Sequence, residues 1–191
     1  MKTHSRFMFF LTMGLFTLSS CTRLRIMKEM KDVVGKEITL PQSLEYISGR
    51  DSTYESQDKT LATMLIWYDS TMCSTCKLSG LRSLAEIELF CRDSVDNATV
   101  IIIFSPPAKA HKTFREASSL SKRDYPILVD YEGAFIRENS KLPKTSYMHT
   151  FLLDKDSKVV LVGDPVPNFS LWKTYKKYLR QLSENGGLVS Q

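Results

Sequence analysis

The sequence predicts an α/β sandwich with a mixed central sheet, and three observations lead to it. Two apolar runs, Leu61 to Tyr68 and Ala98 to Phe104, have the continuous hydrophobicity of strands covered on both faces. Amphipathic segments separate and follow these runs, which is the pattern of parallel strands joined by right-handed crossovers. Later, Thr150 to Leu153 and Lys158 to Val162 flank the turn sequence Asp154 to Ser157 and predict an antiparallel hairpin.

The other elements follow from local patterns of apolar period, proline and glycine. We expect a short strand at Glu37 to Pro41, a loop or an irregular hairpin at Ser43 to Lys59, a helix at Cys73 to Phe90, a helix at Ala108 to Ser121, a strand at Pro126 to Val129, a helix at Glu132 to Asn139 and a final helix at Asn168 to Ser183.

Composition favours one globular domain. The chain has 191 residues, 42% of them hydrophobic and 25% charged, with only 8 Gly and 7 Pro. These values exclude collagen, low-complexity disorder and a small disulfide-stapled scaffold. The net charge is +5 and no long run of like charges occurs, so no nucleic-acid partner is predicted. The three His residues are too scattered for an ordinary zinc site.

The first twenty residues have the order of a targeting segment. Lys2 and Arg6 precede a nearly unbroken apolar run from Phe7 to Leu18, which is too short to span a bilayer comfortably. The letters LSSC follow and end at Cys21, and they resemble a bacterial lipobox. The resemblance implies cleavage after Ser20 and a lipid on the Cys21 thiol. The alternatives are an ordinary secretory signal or a short anchor, with Cys21 incidental.

The lipobox interpretation predicts that the protein lies in the cell envelope, lipid-anchored on the periplasmic side. Loss of Lys2 and Arg6 would leave 24 basic residues against 21 acidic ones. The compartment would permit disulfides. Thr22 after the lipid-bearing Cys, rather than an acid, favours the outer membrane. The predicted division is a signal peptide at 1–20, a lipid-anchored tether at 21–35, the folded domain at 36–185 and a tail at 186–191.

Cys73 and Cys76 carry the chemistry that the sequence suggests. Two thiols separated by two residues at the start of a helix can close a small disulfide ring. The leading thiol also faces unpaired backbone N–H groups and the positive helix end, which stabilise a thiolate. Cys73 would therefore attack a substrate disulfide, and Cys76, one turn deeper, would resolve the mixed disulfide. Lys77 adds a nearby positive charge.

With this motif placed between a buried strand and a helix, the sequence resembles the thioredoxin fold, specifically the membrane-tethered TlpA/ResA-like branch of extracytoplasmic proteins. The matching stretches are Tyr68 to Cys76, Ile101 to Phe104 and Phe151 to Val160. More closely, His149 to Pro165 looks like uncharacterised thioredoxin-like lipoproteins. The resemblance implies a three-layer sandwich, thiol–disulfide exchange with protein thiols and disulfides, and no cofactor. A reductase role would require a membrane electron donor.

The sequence departs from the family pattern at two places. The family has a cis-proline before the late strand, facing the cysteines, whereas alignment on Thr150 puts Met148 there. Because a non-proline cis bond costs about 2.5–4 kcal/mol, we expect a trans peptide and a different substrate groove. The middle pair of the motif, Ser74 and Thr75, replaces the more usual proline-containing pair, so the redox potential cannot be inferred.

Two further polar residues are candidates for proton transfer or thiolate stabilisation. His149 could face the dithiol, or it could be a strand-edge residue with its ring in solvent. Asp69 could accept a proton, or it could be a solvated loop residue. A metal site of Cys73, Cys76 and His149 would have only three ligands, so no metal is predicted. We expect Cys91 to be a small buried hydrophobe.

The sequence therefore predicts a lipid-anchored thiol–disulfide oxidoreductase. The competing hypothesis is a non-enzymatic lipoprotein that uses the thioredoxin fold to bind a partner. In that protein the Cys73–Cys76 pair would be a structural or vestigial disulfide.

Overall fold

The computed structural model describes residues 24–47, 60–121 and 126–189. The predicted signal peptide, the proposed lipidation site Cys21 and most of the loop expected before residue 60 lie outside the described residues. Within the described ranges, no helix is long and apolar enough to cross a membrane.

A six-stranded mixed sheet forms the centre of the molecule. Its strands are β1 (Glu45–Ile47), β2 (Ala62–Tyr68), β3 (Ala98–Phe104), β4 (Ile127–Val129), β5 (Thr150–Leu153) and β6 (Val159–Val162). The spatial order is β1-β4-β3-β2-β5-β6. Strands β2, β3 and β4 are parallel, whereas β1, β5 and β6 pair antiparallel with their neighbours. The predicted parallel centre and late hairpin are both confirmed.

Helices cover both faces of this sheet. They are α1 (24–33), α2 (Ser74–Ser79), α3 (Ala85–Ser94), α4 (His111–Leu120), α5 (Ala134–Glu138) and α6 (Phe169–Glu184), with 3-10 turns at Leu81–Leu84, Ala108–Ala110 and Ser146–Met148. Apolar residues of α2, α3, α4 and α6 form one core cluster, and those of α1 and α5 form another across the sheet. The result is the predicted three-layer sandwich.

The hydrophobic pattern explains which helix faces are buried. In α6, Trp172, Tyr175, Leu179 and Leu182 recur at helical spacing, and all four are buried. The Tyr175 hydroxyl lies 3.0 Å from the Thr150 carbonyl oxygen and also within reach of a second carbonyl in the hairpin. Burying a large aromatic side chain with its hydroxyl bonded anchors α6 to the β5–β6 hairpin.

The structure differs from the expected elements in three places. The segment Glu37 to Pro41 is not a strand; only Glu37 forms an isolated bridge, to Lys158. The expected loop instead contains β1, an edge strand that forms by pairing with β4. The helix expected over Cys73 to Phe90 is interrupted at Gly80, where a 3-10 turn separates α2 from α3. Glycine costs about 1 kcal/mol in a helix interior, which explains the break.

The segment predicted to be a tether, residues 21–35, packs onto the fold where the structure describes it. Val33 of α1 is buried in the second core cluster beside Ile38. The Glu29 carboxylate accepts a hydrogen bond from the Thr145 backbone N–H at 3.3 Å. Helix α1 is therefore docked against the loop that precedes β5.

Candidate active site at the Cys73–Cys76 disulfide

Cys73 and Cys76 form a disulfide at the start of α2, just beyond the end of β2. Cys73 is the residue that precedes the first helical turn, as predicted, and its Cα lies 5.3 Å from that of Cys76. Both cysteines are exposed. Cys76 lies one turn further along α2, a short helix that ends at Gly80.

Donors around Cys73 favour a negative charge on its sulfur. The Cys76 backbone N–H donates to Cys73 Sγ at 3.3 Å, and the Thr75 hydroxyl oxygen lies 3.6 Å from the same sulfur. After reduction, these two groups are placed to stabilise a thiolate. The Lys77 Nζ lies 5.5 Å from the centre of the Tyr68 ring, so a cation–π contact holds the positive charge on the ring.

Asp69 is a buried residue of the turn between β2 and the disulfide. Its Oδ1 accepts hydrogen bonds from the Thr71 backbone N–H at 2.7 Å and from the Thr71 hydroxyl at 2.5 Å. The residue is 8% exposed, which rules out the interpretation as a solvated loop residue. Asp69 thereby fixes the turn that leads to Cys73, with its other oxygen pointing at a second site residue.

That second residue is His149, which is 3% exposed, so the interpretation as a solvated strand-edge residue is wrong. His149 Nε2 lies 2.7 Å from the Pro143 carbonyl oxygen, and Nδ1 lies 3.2 Å from Asp69 Oδ2. The ring packs against Trp67 with centroids 4.3 Å apart. The fold thus brings together the two residues that the sequence suggested for proton transfer.

The His149–Asp69 contact is a close approach without a hydrogen bond. Because Pro143 offers only an acceptor, Nε2 carries the proton, and a neutral ring presents Nδ1 as an acceptor. Within the described part of the chain, Nδ1 has no hydrogen-bond partner. Burial lowers the pKa of His149, and this outweighs the Pro143 carbonyl and the Asp69 carboxylate, which both raise it. The pair therefore has a free proton-accepting position at Nδ1.

A buried polar chain beneath the site was not found by the sequence reasoning. Trp67 Nε1 donates to Ser105 Oγ at 2.9 Å, and Ser105 Oγ lies 3.4 Å from Asp130 Oδ2. Asp130 also accepts the backbone N–H groups of Ala134 and Phe135 at the start of α5. One signal could have found it: Ser105 and Asp130 directly follow β3 and β4, where the carboxyl ends of parallel strands meet.

Met148, which the sequence suggested as the counterpart of the family's cis-proline, is a buried residue. The residue is 2% exposed and packs in the second core cluster. Its backbone N–H donates to the Thr145 carbonyl at 2.9 Å within a 3-10 turn. No peptide bond in the described ranges is cis. The expected trans peptide is confirmed, and Met148 is the last residue of the 3-10 turn.

A groove of about 460 Å³, which we call the dithiol groove, runs beside the disulfide. Its lining includes Cys76, Met72, Tyr147 and Val166. Tyr147 and Val166 are 50% and 44% exposed, so the groove has apolar side chains open to a ligand. His149 also contributes to its lining. The groove has the dimensions and chemistry to hold a short peptide segment next to the disulfide.

Two other expectations concern cysteine and metal chemistry. Cys91 is 2% exposed, as predicted, and burial raises the pKa of its thiol to about 12. In the residues that the structure describes, no group of three or more His, Cys, Asp or Glu side chains is arranged to hold a metal ion.

Comparisons with known proteins locate this architecture among solved structures. Scans against protein-family models and curated proteins found no match. A candidate thiol:disulfide interchange protein DsbE from Chlorobium tepidum matches at 13% identity and a TM-score of 0.51, covering 76% of this chain and 97% of that one. A thioredoxin-like protein solved in its oxidized form matches at 14% identity and a TM-score of 0.50, covering 81% and 99%.

The exposed lipoprotein thioredoxin Etrx1 from Streptococcus pneumoniae matches at 21% identity and a TM-score of 0.46, covering 72% of this chain and all of that one. At sequence identities this low, structural similarity indicates the fold alone, and activity has to be argued from the site itself. The sheet order, the flanking layers and the two structures with TM-scores of 0.51 and 0.50 agree: the chain has a thioredoxin-like fold, with a Cys-x-x-Cys disulfide just beyond the end of its central strand.

Proposed function

We propose that this protein is a thiol–disulfide oxidoreductase of the cell envelope, anchored through a lipid on Cys21, that exchanges disulfides with protein clients. The observation that carries the proposal is the exposed Cys73–Cys76 disulfide beside the dithiol groove. A disulfide that only staples a fold is protected from attack, whereas an exchange catalyst must present its sulfur to another protein.

The exchange conserves electrons in two steps. In the reducing direction, the Cys73 thiolate attacks one sulfur of the client disulfide, forms a mixed disulfide and releases the other client sulfur as a thiolate. Cys76, once deprotonated, attacks Cys73 Sγ, closes the Cys73–Cys76 bond and releases the second client thiolate. The client gains two electrons and this protein loses them. The same steps in reverse oxidise a client dithiol.

The donors at Cys73 support an assignment of the attacking and resolving roles. Cys73 Sγ receives the Cys76 N–H and approaches the Thr75 hydroxyl, so its thiolate is the better stabilised of the two. We therefore assign Cys73 as the attacking thiol and Cys76 as the resolving one. Regeneration for a reductase role would draw electrons from a membrane donor.

The resolving step needs an acceptor for the Cys76 proton, and the His149–Asp69 pair supplies one. His149 lines the same groove as Cys76, and its Nδ1 is without a hydrogen-bond partner among the described residues. Proton uptake at Nδ1 would turn the unbonded contact with Asp69 Oδ2 into a charge-assisted hydrogen bond. The pair would act as a buried proton store behind the disulfide.

The second candidate function is a binding module whose disulfide has no exchange role. One observation favours it: Met148 and a 3-10 turn stand where the family has the proline loop that helps to bind client backbone. Such a protein would use the dithiol groove to hold a partner without exchanging electrons with it.

The reduction potential of Cys73–Cys76 separates the two. The full chain, purified in a neutral detergent, is equilibrated with glutathione or dithiothreitol buffers, and alkylated peptides report the redox state of Cys73 and Cys76. A potential between about −120 and −270 mV, the span of exchange catalysts, is the expected result. A disulfide that stays oxidised below about −300 mV would be a structural staple and would overturn the exchange function.

The anchor has a test of its own. In a Gram-negative bacterial host, intact-mass analysis should find a chain that begins at Cys21 and carries lipid, while a Cys21→Ser chain should carry none. An unprocessed or unmodified wild-type chain would refute the anchor and leave the dithiol chemistry untouched.

A further inference from the structure

A second concave surface, which we call the basic groove, lies between α1 and the loop of residues 139–145. Its volume is about 770 Å³, and it shares no lining residue with the dithiol groove. Its carboxylates are Glu29 and Asp32. Its cations are Arg25, Lys28, Lys31, Lys36, Lys141 and Lys144. Six cations against two carboxylates make this a strongly positive cavity.

The positive charge of the basic groove is not neutralised from within. Glu29 already pairs with Arg25 at 3.1 Å and accepts the Thr145 N–H. Burial acts to raise the pKa of Glu29, but hydrogen bonds from Thr145 and Arg25 bring the pKa below its usual value. The five lysines of the groove are exposed, and no ion pair among the described residues involves any of them.

Helix α1 adds exposed apolar side chains to this basic surface. Leu24 is 65% exposed and Met27 is 47% exposed. At 100° per residue, Leu24 and Met27 fall on the same side of the helix as Lys28 and Lys31, opposite the buried Val33. A helix that exposes leucine and methionine beside lysines has the composition of one that lies in a lipid–water interface.

The position of α1 in the chain indicates what it meets. Leu24 lies three positions after Cys21, and an extended chain covers at most about 3.6 Å per position. A lipid on Cys21 therefore holds the start of α1 within about 11 Å of the membrane. This step rests on the anchoring proposed above.

We propose that the basic groove and the outer face of α1 dock on an anionic phospholipid surface, with headgroup phosphates seated between the lysines. A single lipid chain binds a membrane reversibly, and a polybasic patch beside it supplies the second attachment. The contact fixes how the thioredoxin-like domain sits above the bilayer.

The cations of α6 provide a matched comparison within the same chain. Lys173 lies 4.7 Å from the centre of the Phe169 ring, and Lys176 lies 5.3 Å from that of Trp172. Lys176 also approaches Glu86 at 3.8 Å. Lys173 and Lys176 are thus engaged with rings and a carboxylate, and Lys177 is an exposed lysine next to them. Helix α6 packs on the opposite face of the sheet from α1, so we expect no docking there.

The test measures how fast each lysine reacts with an amine-specific reagent, read by peptide mass spectrometry. The full chain is reconstituted on vesicles of phosphatidylcholine alone or of equal parts phosphatidylcholine and phosphatidylglycerol. Lys28, Lys31, Lys141 and Lys144 should react about fivefold more slowly on the anionic vesicles, whereas Lys173 and Lys177 should not change. The protection should vanish at about 1 M salt, where the Debye length is about 3 Å.

A double variant sharpens the test. In Lys141→Glu/Lys144→Glu, the protection of Lys28 and Lys31 should be lost, while a Lys173→Glu/Lys177→Glu control should keep it. Equal reactivity on both kinds of vesicle would overturn the proposal, as would protection confined to α6. If inorganic phosphate in detergent protects the same lysines equally well, the groove binds a free anion and the membrane proposal is overturned.

The result is separable from the proposed function. A chain without lipid on Cys21 refutes the anchor, whereas a lipidated chain with unprotected groove lysines refutes the docking. The reduction potential of the disulfide is measured independently of both.

Discussion

His149 Nδ1 and Asp69 Oδ2 lie 3.2 Å apart in a buried position, and no hydrogen bond joins them. The Pro143 carbonyl holds the imidazole proton on Nε2. The neutral ring therefore presents Nδ1 as an acceptor, and it faces a carboxylate oxygen that is also an acceptor. Two facing acceptors repel each other, yet burial of the ring still opposes its protonation and lowers the pKa of His149. Stability and exchange should therefore respond in opposite directions when this contact is altered.

Replacing Asp69 by Asn should stabilise the fold and slow exchange. The introduced amide can donate to His149 Nδ1 while its oxygen still accepts from Thr71. We expect the free energy of unfolding to stay equal or rise by about 1 kcal/mol, measured by urea denaturation. If the pair accepts the Cys76 proton, reduction of a peptide disulfide should slow by about a hundredfold. A variant that loses stability and keeps its exchange rate would contradict this.

Titration of His149 should make the fold less stable in acid. Burial lowers the pKa of His149 in the folded protein below its ordinary value of 6.5, so the unfolded chain binds the proton first as pH falls. The contribution is complete above about pH 6.5 and is lost as the pH falls through the folded pKa, at no more than about 1.4 kcal/mol per pH unit. Urea unfolding at several pH values measures this slope.

The matched variants for this slope are His149→Asn and His111→Asn. His111 lies in α4 with its ring 3.0 Å from the Pro106 carbonyl. The first variant should flatten the acid limb and the second should keep it. An acid limb that survives His149→Asn would assign the slope to other groups.

Introducing a proline at position 148 should destabilise this protein. Met148→Pro removes the N–H that bonds to Thr145 and empties a buried side-chain site. We expect a loss of about 3 kcal/mol or more in the free energy of unfolding. Met148→Leu, which keeps the N–H and the volume, should cost less than about 1.5 kcal/mol. If Met148→Pro is as stable as the wild type, the 3-10 turn is not a fixed feature.

Replacing Ser105 should reduce the free energy of unfolding more than replacing an exposed serine does. Ser105→Ala leaves the buried Trp67 N–H without its acceptor, so we expect a loss of about 1–3 kcal/mol in thermal or urea unfolding. Ser83→Ala provides the control, because Ser83 donates to Gly80 at an exposed position. Equal costs for the two variants would show that water replaces the lost acceptor.

The three described cysteines should differ sharply in reactivity. In the reduced native protein, N-ethylmaleimide should label Cys73 and Cys76, while Cys91, whose pKa is raised to about 12 by burial, should react only after unfolding. Peptide mapping of the labelled sites reads this out. Rapid native labelling of Cys91 would mean that α3 opens far more readily than its packing indicates.

The elements with strong local signals were predictable. β2, β3, the late hairpin and α6 each carry enough apolar period to identify them from residues alone. β1 carries no such signal, because Glu45–Ile47 becomes a strand only by pairing with β4, far along the chain. The glycine that interrupts the helix at position 80 is visible in the sequence. The apolar period continues across it, however, and predicted an unbroken helix.

The site was predictable in its chemistry and not in its burial. The spacing of Cys73 and Cys76 indicated their disulfide, and Asp69 and His149 were named with solvated alternatives. Nothing local to either residue could show that the fold buries both and sets them in contact. That contact depends on β2 and β5 being antiparallel neighbours, which is a property of the whole sheet.

The central place of β2 separates the motion of the disulfide from the rest of the molecule. β2 pairs with β3 along its whole length and with β5 over Thr63 to Ile66, and its last amides and carbonyls are bonded as well. Its amide hydrogens should exchange with solvent only when the entire domain opens. The six-residue α2 buries only Ser74 and Leu78 and ends at Gly80, so its amide hydrogens should exchange orders of magnitude sooner. Oxidation and reduction of the disulfide would then alter a fast-exchanging turn that directly follows the slowest-exchanging strand.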